Sequence, residues 1–149
     1  ICETFVFNAV LNAPIFIVKE ELFKIPFYGW CIKKLGFIGT HREKVTKDHL
    51  VFLEKTAETI NKEKSPLIIF PQGTRIKNNE RVPLKKGVSR IYEKAKVPCI
   101  PVKLNTGDVW PRDSFFRFPG EICIEFKKPI EPGLNMNDFM NKLEKEIYD

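Results

Sequence analysis

Residues 66–75 read Pro-Leu-Ile-Ile-Phe-Pro-Gln-Gly-Thr-Arg, and this stretch decides the fold. Residues 66–70 form a continuous apolar run, which is typical of a parallel strand covered on both faces. A proline, a glycine and a threonine then predict a turn, in which Gly73 permits an unusual backbone angle or a close approach to a ligand. Arg75 offers a planar, permanently charged fork that suits phosphate. From the residues alone, a phosphate site and a strand-end turn with a solvated arginine are equally favoured.

Strand-like and helix-like segments alternate on both sides of this stretch. Short apolar or alternating runs predict strands over residues 15–18, 37–40 and 121–126. Residues 97–102 are also strand-like, and their two prolines suit an edge strand or the end of a strand. Apolar periodicity predicts helices over residues 2–11, 46–64, 88–96 and 137–148, with short helical pieces over residues 22–35. Thr46 is a candidate cap for the second of these helices. Strands separated by crossover helices predict an α/β domain with a mostly parallel sheet flanked by helices.

The composition fits one globular domain over residues 1–149, with 43% hydrophobic and 30% charged residues. The 13 phenylalanines exclude a disordered chain. The most apolar stretch, residues 4–18, is interrupted by Asn8, Asn12 and Pro14 and is too short to cross a bilayer. The four cysteines form no C-x-x-C pair and no cluster with the two histidines, so we expect buried free thiols, a reducing compartment and no metal.

The net charge of +6 favours an anionic partner. Lysines and arginines alternate with acidic residues along the helices, which disfavours nucleic acid. A basic residue follows each of the first three predicted strands: Lys19, Arg42 and Arg75. Because ligands bind beyond the carboxyl ends of parallel strands, adjacent strands would bring these three cations together as a phosphate site. A solvated surface charge is the alternative for each of them.

Four blocks of this sequence resemble motifs of the lysophosphatidic acid acyltransferases (1-acylglycerol-3-phosphate acyltransferases), especially of a bacterial branch, and they occur in the same order as in that family. The resemblance covers residues 1–132. Phe70-Pro-Gln-Gly-Thr-Arg75 is similar to the family's F-P-E-G-T-R block, with Gln72 where many members have Glu, which argues against a charged catalytic role there. The other blocks are residues 19–30 with 35–38 and Arg42, residues 97–102, and residues 105–107 with 110–112 and 118–120.

The resemblance implies acyl transfer without a covalent enzyme intermediate. In the family's H-x-x-x-x-D block, where Glu replaces Asp in some members, a histidine is the general base and the carboxylate orients it. Glu3 fits the carboxylate. The histidine would be the third residue before Ile1, so we expect a chain that lacks its N-terminal part and has no turnover as it stands. His41 and His49 are poor substitutes.

The resemblance also assigns the substrates. The base would take the proton of the glycerol 2-hydroxyl, which would attack the thioester of acyl-CoA or acyl-carrier protein and give phosphatidic acid. Lys19, Arg42 and Arg75 would hold the phosphate of lysophosphatidic acid, in an acceptor site completed by Gln72, Gly73 and Thr74. The turn at residues 73–74 is a candidate source of backbone N–H donors. No cofactor and no metal is expected.

A lysolipid acceptor implies a membrane surface as partner. We expect the cytoplasmic face of the inner membrane, with peripheral binding or a missing N-terminal anchor. Candidates to face lipid are Phe5, Phe7, Val10 and Leu11 on the first helix, or Phe23, Phe27 and Trp30 on the second segment, and burial in the core is the alternative for each. Two alternatives stay open. One is a non-catalytic basic module that binds phosphate or anionic lipid headgroups, and the other is an acyltransferase for another lysolipid.

The role assigned to Glu3 predicts a specific kinetic effect. In the protein extended upstream through the motif histidine, Glu3→Gln should lower turnover by up to the general-base contribution of about 10²–10⁴-fold, because the base is misoriented. The affinity for lysophosphatidic acid should change much less. Thioester release measured against acceptor concentration separates the two effects, and an unchanged turnover rate would show that Glu3 is misassigned.

Overall fold

Three parallel strands, β1 (Ile15–Lys19), β2 (Ile38–Thr40) and β3 (Leu67–Ile68), form a sheet in the order β2-β1-β3. The computed structural model describes residues 2–40, 47–74, 80–111 and 116–149. The chain divides into two compact units, Glu3–Ile69 and Phe70–Asp149, and this sheet lies in the first. The expected parallel sheet flanked by helices is confirmed.

The central strand β1 carries the core of the first unit. Ile15 of β1 pairs with Leu67 of β3, and Ile17 of β1 pairs with Ile38 of β2. The Phe16 side chain is 2% exposed, and its ring lies 5.0 Å from that of Phe37 and 6.3 Å from that of Phe7. Aromatic pairs at these separations add to the free energy of burial. The sheet is therefore anchored at β1.

The helices of the first unit follow the predicted pattern. They are α1 (Cys2–Val10), a 3₁₀ helix (Glu20–Lys24), α2 (Tyr28–Lys34) and α3 (Lys47–Glu63). On α3, Leu53 and Ala57 are buried, as their spacing predicts, together with Thr56, whose hydroxyl donates to the Phe52 carbonyl at 2.7 Å. The candidate cap Thr46 lies outside the described residues. Among the helices that the structure describes, none is long and apolar enough to cross a membrane.

Gly36 lies between α2 and β2 and terminates the helix. Gly36 has φ +72°, its N–H donates to Lys33 O at 3.2 Å, and the N–H of Phe37 donates to Ile32 O at 3.0 Å. These two bonds are the Schellman pattern, which satisfies the last carbonyls of a helix. The chain therefore leaves α2 and places the buried Phe37 directly before β2.

The second unit contains α4 (Gly87–Ala95), β4 (Val102–Leu104), α5 (Thr106–Val109), β5 (Ile124–Phe126) and α6 (Met136–Tyr148). The strands β4 and β5 are antiparallel. In its core, the Tyr92 ring stacks on Phe139 with centroids 3.9 Å apart, and the Tyr92 hydroxyl donates to Glu131 O and accepts from Leu134 N. Asn135 caps α6 by accepting from Asp138 N at 2.9 Å.

Three predicted strands are clearly shorter than expected. The run at residues 66–70 supplies only Leu67–Ile68 as strand. Phe70 lies beyond the strand end and is 41% exposed, and its carbonyl accepts the hydrogen bond that closes the following turn. Residues 97–102 reach regular pairing only at Val102, because prolines lack the N–H that a ladder needs. Within that stretch, Cys99 forms an isolated bridge with Ile130 through bonds of 2.9 and 2.7 Å. The final strand begins at Ile124 instead of residue 121.

The expectation of buried thiols is wrong for two cysteines. Cys31 and Cys123 are exposed, since one lies on the outer side of a short helix and the other just before β5. Cys99 is half-buried, and desolvation raises the pKa of its thiol to about 11.

Replacement by alanine should have different effects on stability at Gly29 and at Gly87. A Cβ on the buried Gly29 would collide with the backbone carbonyl of Phe23, so Gly29→Ala should destabilise the protein by about 1–3 kcal/mol or more. A Cβ on Gly87 meets nothing within 4 Å, so Gly87→Ala at the start of α4 should be neutral or stabilise by up to about 1 kcal/mol. Urea denaturation of both variants measures this difference, and equal midpoints would contradict it.

Candidate functional site

The candidate site begins where β1 and β2 end. Lys19, the last residue of β1, pairs with Thr40, the last residue of β2, so the two strands end side by side. Lys19 is exposed and directly precedes the 3₁₀ helix. Arg42 follows Thr40 by two positions and lies outside the described residues, as does Arg75. The adjacency of the three strands is confirmed, and the convergence of the three cations stays a prediction.

A carboxylate lies over the end of β2. A Cβ on Gly39 would collide with Glu20 Oε2 and would lie 3.0 Å from the Phe23 ring. The absence of a side chain at Gly39 therefore lets Glu20 and Phe23 approach the backbone beside Lys19. Sequence reasoning missed this contact. A glycine inside a strand was the available signal, since it often marks a close approach.

The turn after β3 has the backbone that the sequence predicts. Gly73 has φ +68°, and its N–H donates to Phe70 O at 3.0 Å. That bond occupies the Gly73 N–H within the turn, so this amide is a poor choice for stabilising an oxyanion. Gln72 and Gly73 are half-buried and Thr74 is exposed. The structure thus brings these three candidate residues together in the second unit.

Lys85 supports this turn and was not among the candidates. Its N–H donates to Pro71 O at 2.8 Å, and a Cβ on Gly73 would lie 3.3 Å from Lys85 Cγ. Lys85 is exposed, and the aliphatic part of its side chain lies beside Gly73, so its ammonium group is held near the turn. The signal in the sequence was the pair Lys85-Lys86 immediately before the predicted helix at residue 88.

Glu3 lies in the first turn of α1 in the first unit and is half-buried. His41 lies outside the described residues, and the side chain of His49 is not described. The part of the chain that the structure describes holds no group of three or more histidine, cysteine or acidic residues suited to a metal ion. The raised pKa of Cys99 keeps its thiol protonated at neutral pH, so Cys99 is not a nucleophile there.

The blocks after β4 have a structural role. Asn105 Nδ2 donates to Glu121 O at 2.9 Å, and Asn105 Oδ1 accepts from Cys123 N at 2.6 Å. The N–H of Phe118 donates to Val109 O at 2.9 Å. Asn105 therefore fixes the segment that leads into β5. Arg112 lies outside the described residues.

The sequence profile of the family described as Acyltransferase matches residues 3–105. The chain belongs to this acyltransferase family. It is similar to the 1-acyl-sn-glycerol-3-phosphate acyltransferases of Pseudomonas aeruginosa, 30% identical over 82% of this chain and 47% of that protein, and of Saccharomyces cerevisiae, 30% identical over 88% and 44%. The similar enzyme of Helicobacter pylori is 39% identical over 59% of this chain and 37% of that protein.

The fold of this acyltransferase-family chain is also similar to a crystal structure. That structure is the 1-acyl-sn-glycerophosphate (LPA) acyltransferase PlsC from Thermotoga maritima, with a TM-score of 0.73 and 25% sequence identity. The similarity covers 91% of this chain and 54% of that one. The matched regions therefore cover between 37% and 54% of the length of these relatives.

Because Lys85 packs beside Gly73, replacing Gly73 by alanine should lower both stability and ligand affinity, whereas a matched substitution elsewhere should lower stability alone. Gly73→Ala should cost about 1 kcal/mol, because a side chain at φ +68° is strained, and should push the Lys85 stem away from the turn. Gly36→Ala is the matched control, since Gly36 has φ +72° and open space around it. Denaturation midpoints should fall similarly in both variants. Calorimetric affinity for glycerol 3-phosphate should fall only in Gly73→Ala, and an equal affinity in both would contradict a role of this turn in anion binding.

Proposed function

We propose that this chain forms the acceptor-binding part of an enzyme that acylates the 2-hydroxyl of 1-acylglycerol-3-phosphate to give phosphatidic acid, a step of phospholipid biosynthesis. One observation carries the proposal: residues 70–74, the described part of the family's motif, follow β3 along the chain, and β3 pairs in parallel with β1, the strand that ends in Lys19. The similar proteins from Pseudomonas and yeast are 1-acyl-sn-glycerol-3-phosphate acyltransferases, which supports the same reaction.

The phosphate of the acceptor explains the basic residues. Lys19 is the last residue of β1 and Arg75 comes after β3 in the sequence, and the carboxyl ends of the strands in a parallel sheet are the usual location of ligands. Arg75 supplies a bidentate fork and Lys19 a second positive charge, with Arg42 as a third. Binding the phosphate at these residues would fix the position of the glycerol 2-hydroxyl, which is how positioning lowers a reaction barrier.

The acyl transfer itself needs a base and an acyl thioester. A histidine five residues before Glu3, as the family motif requires, would take the proton of the 2-hydroxyl, and Glu3 would orient its ring. The hydroxyl oxygen would then form the new ester bond as the thioester carbon–sulfur bond breaks, and the thiol of CoA or of an acyl-carrier protein would leave. No cofactor or metal takes part in this scheme.

The phosphate role of Arg75 can be tested by ligand binding. Arg75→Lys should weaken the binding of a short-chain lysophosphatidic acid by roughly 10- to 150-fold, because an ammonium group lacks the paired planar donors of the guanidinium. Lys19→Ala should weaken the same binding. Calorimetric titration of the 149-residue chain below the micelle concentration of the ligand measures these affinities.

Lys62→Ala is the control, since Lys62 is exposed near the end of α3, and it should leave the affinity unchanged. Circular dichroism should show the same fold in every variant. The proposed phosphate site is wrong if Arg75→Lys binds like the parent, or if the parent binds phosphate-free monoacylglycerol equally well.

A further inference from the structure

A short segment of the first unit places several large apolar side chains in water. Phe27 is 87% exposed, Trp30 is 61% exposed and Leu35 is 56% exposed, and Ile25 and Tyr28 are exposed as well. We call these five residues the α2 face, because they lie on α2 or within three residues of its ends. Large apolar side chains that are exposed close together, with polar residues at their edge, mark interaction sites on protein surfaces.

The backbone holds the most exposed of these side chains in a strained conformation. Phe27 has φ +61° and ψ −51°, and the N–H of Tyr28 donates to Pro26 O at 2.7 Å. This bond makes Phe27 the central residue of a γ-turn with positive φ, a conformation that is rare and costly for a bulky residue. Because the Phe27 ring is in solvent, this strained backbone conformation does not serve to bury the Phe27 side chain. Strain that folding does not explain points to a function.

Within residues 24–35, which carry the α2 face, the charged residues are all lysines, whereas Glu20 and Glu21 precede them in the 3₁₀ helix. Lys24, Lys33 and Lys34 are exposed, and residues 22–42 contain no aspartate or glutamate. Lys34 Nζ lies 4.1 Å from the centroid of the Trp30 ring and forms a cation–π contact with it. A second copy of this surface would bring lysines against lysines, which opposes self-association.

We propose that the α2 face binds the surface of an anionic lipid bilayer. Tyrosine and tryptophan rings with neighbouring lysines are suited to the headgroup layer, where an apolar body is buried and a polar end stays wet. The lysines would contact lipid phosphates, and Phe27 and Leu35 would reach the acyl boundary. With seven residues, α2 lies on the membrane and does not cross it. The inference rests on the proposed function, because a lysophosphatidic acid acceptor is a bilayer component, and it names the partner.

Vesicle binding tests the proposal without any acyl transfer. The chain is sedimented with vesicles of phosphatidylcholine alone and of phosphatidylcholine with one quarter phosphatidylglycerol, at low and high salt. We expect clearly tighter binding to the phosphatidylglycerol vesicles, weakened by salt. Trp30→Ser should weaken that binding about tenfold or more, because a large apolar side chain is lost. Lys33→Gln with Lys34→Gln should weaken it about 25-fold, at about fivefold for each lysine.

Two controls match these variants. Val51→Ser removes an apolar side chain that is 61% exposed on α3, and Lys62→Gln removes an exposed charge there. Both should bind vesicles like the parent. Phe27→Gly separates folding from binding, since glycine accepts positive φ without strain. Its thermal midpoint should be equal to or above that of the parent, and its vesicle affinity should fall.

Three results would overturn the proposal. They are parent-like vesicle affinity in both Trp30→Ser and Phe27→Gly, equal binding of the parent to both kinds of vesicle, and a dimer in sedimentation equilibrium that Trp30→Ser dissolves. Soluble short-chain lysophosphatidic acid, titrated into Trp30→Ser, should bind with the parent's affinity. If the parent itself fails to bind that ligand, the proposed function fails, and the vesicle data still decide the role of the α2 face.

Discussion

The parallel pairing of β1 with both neighbours is the constraint on which the first unit depends. β1 is hydrogen-bonded on one side to β2 and on the other to β3, and its residue Phe16 fills the core between the rings of Phe7 and Phe37. A shift of β1 by one residue would turn its buried side chains to the opposite face. The same register ends β1 at Lys19 beside the last residue of β2. Packing in the core therefore sets the position of a charge at the sheet edge.

Most elements could be predicted because their signals are local. The β-branched run of β1 and the spacing of Leu53 and Ala57 on α3 each specify one element from a few adjacent residues. Errors arose where proline intervened, as at residues 97–102. Pairing there depends on a partner, Ile130, that lies far along the chain. Strand ends are thus set by long-range hydrogen bonds that a local pattern does not contain.

Burial was the property that the sequence could not decide for single aromatic residues. Phe5 and Phe7 are two positions apart in α1, and their side chains are 71% and 2% exposed. The residue type is the same, and only the face of the helix that meets the sheet separates them. The candidate site shows the same limit: the motif turn at Gly73 was found, whereas the contacts of Glu20 with Gly39 and of Lys85 with the turn needed coordinates.

The hydrogen bond from Lys85 N–H to the carbonyl of Pro71 has an evolutionary consequence. It joins main chain to main chain, so every amino acid except proline can make it from position 85. The architecture of the turn is therefore independent of the side chain carried there. Substitutions at position 85 can change the charge and reach of the group beside Gly73 without dismantling the turn, which leaves that position free to diversify while its neighbours stay constrained.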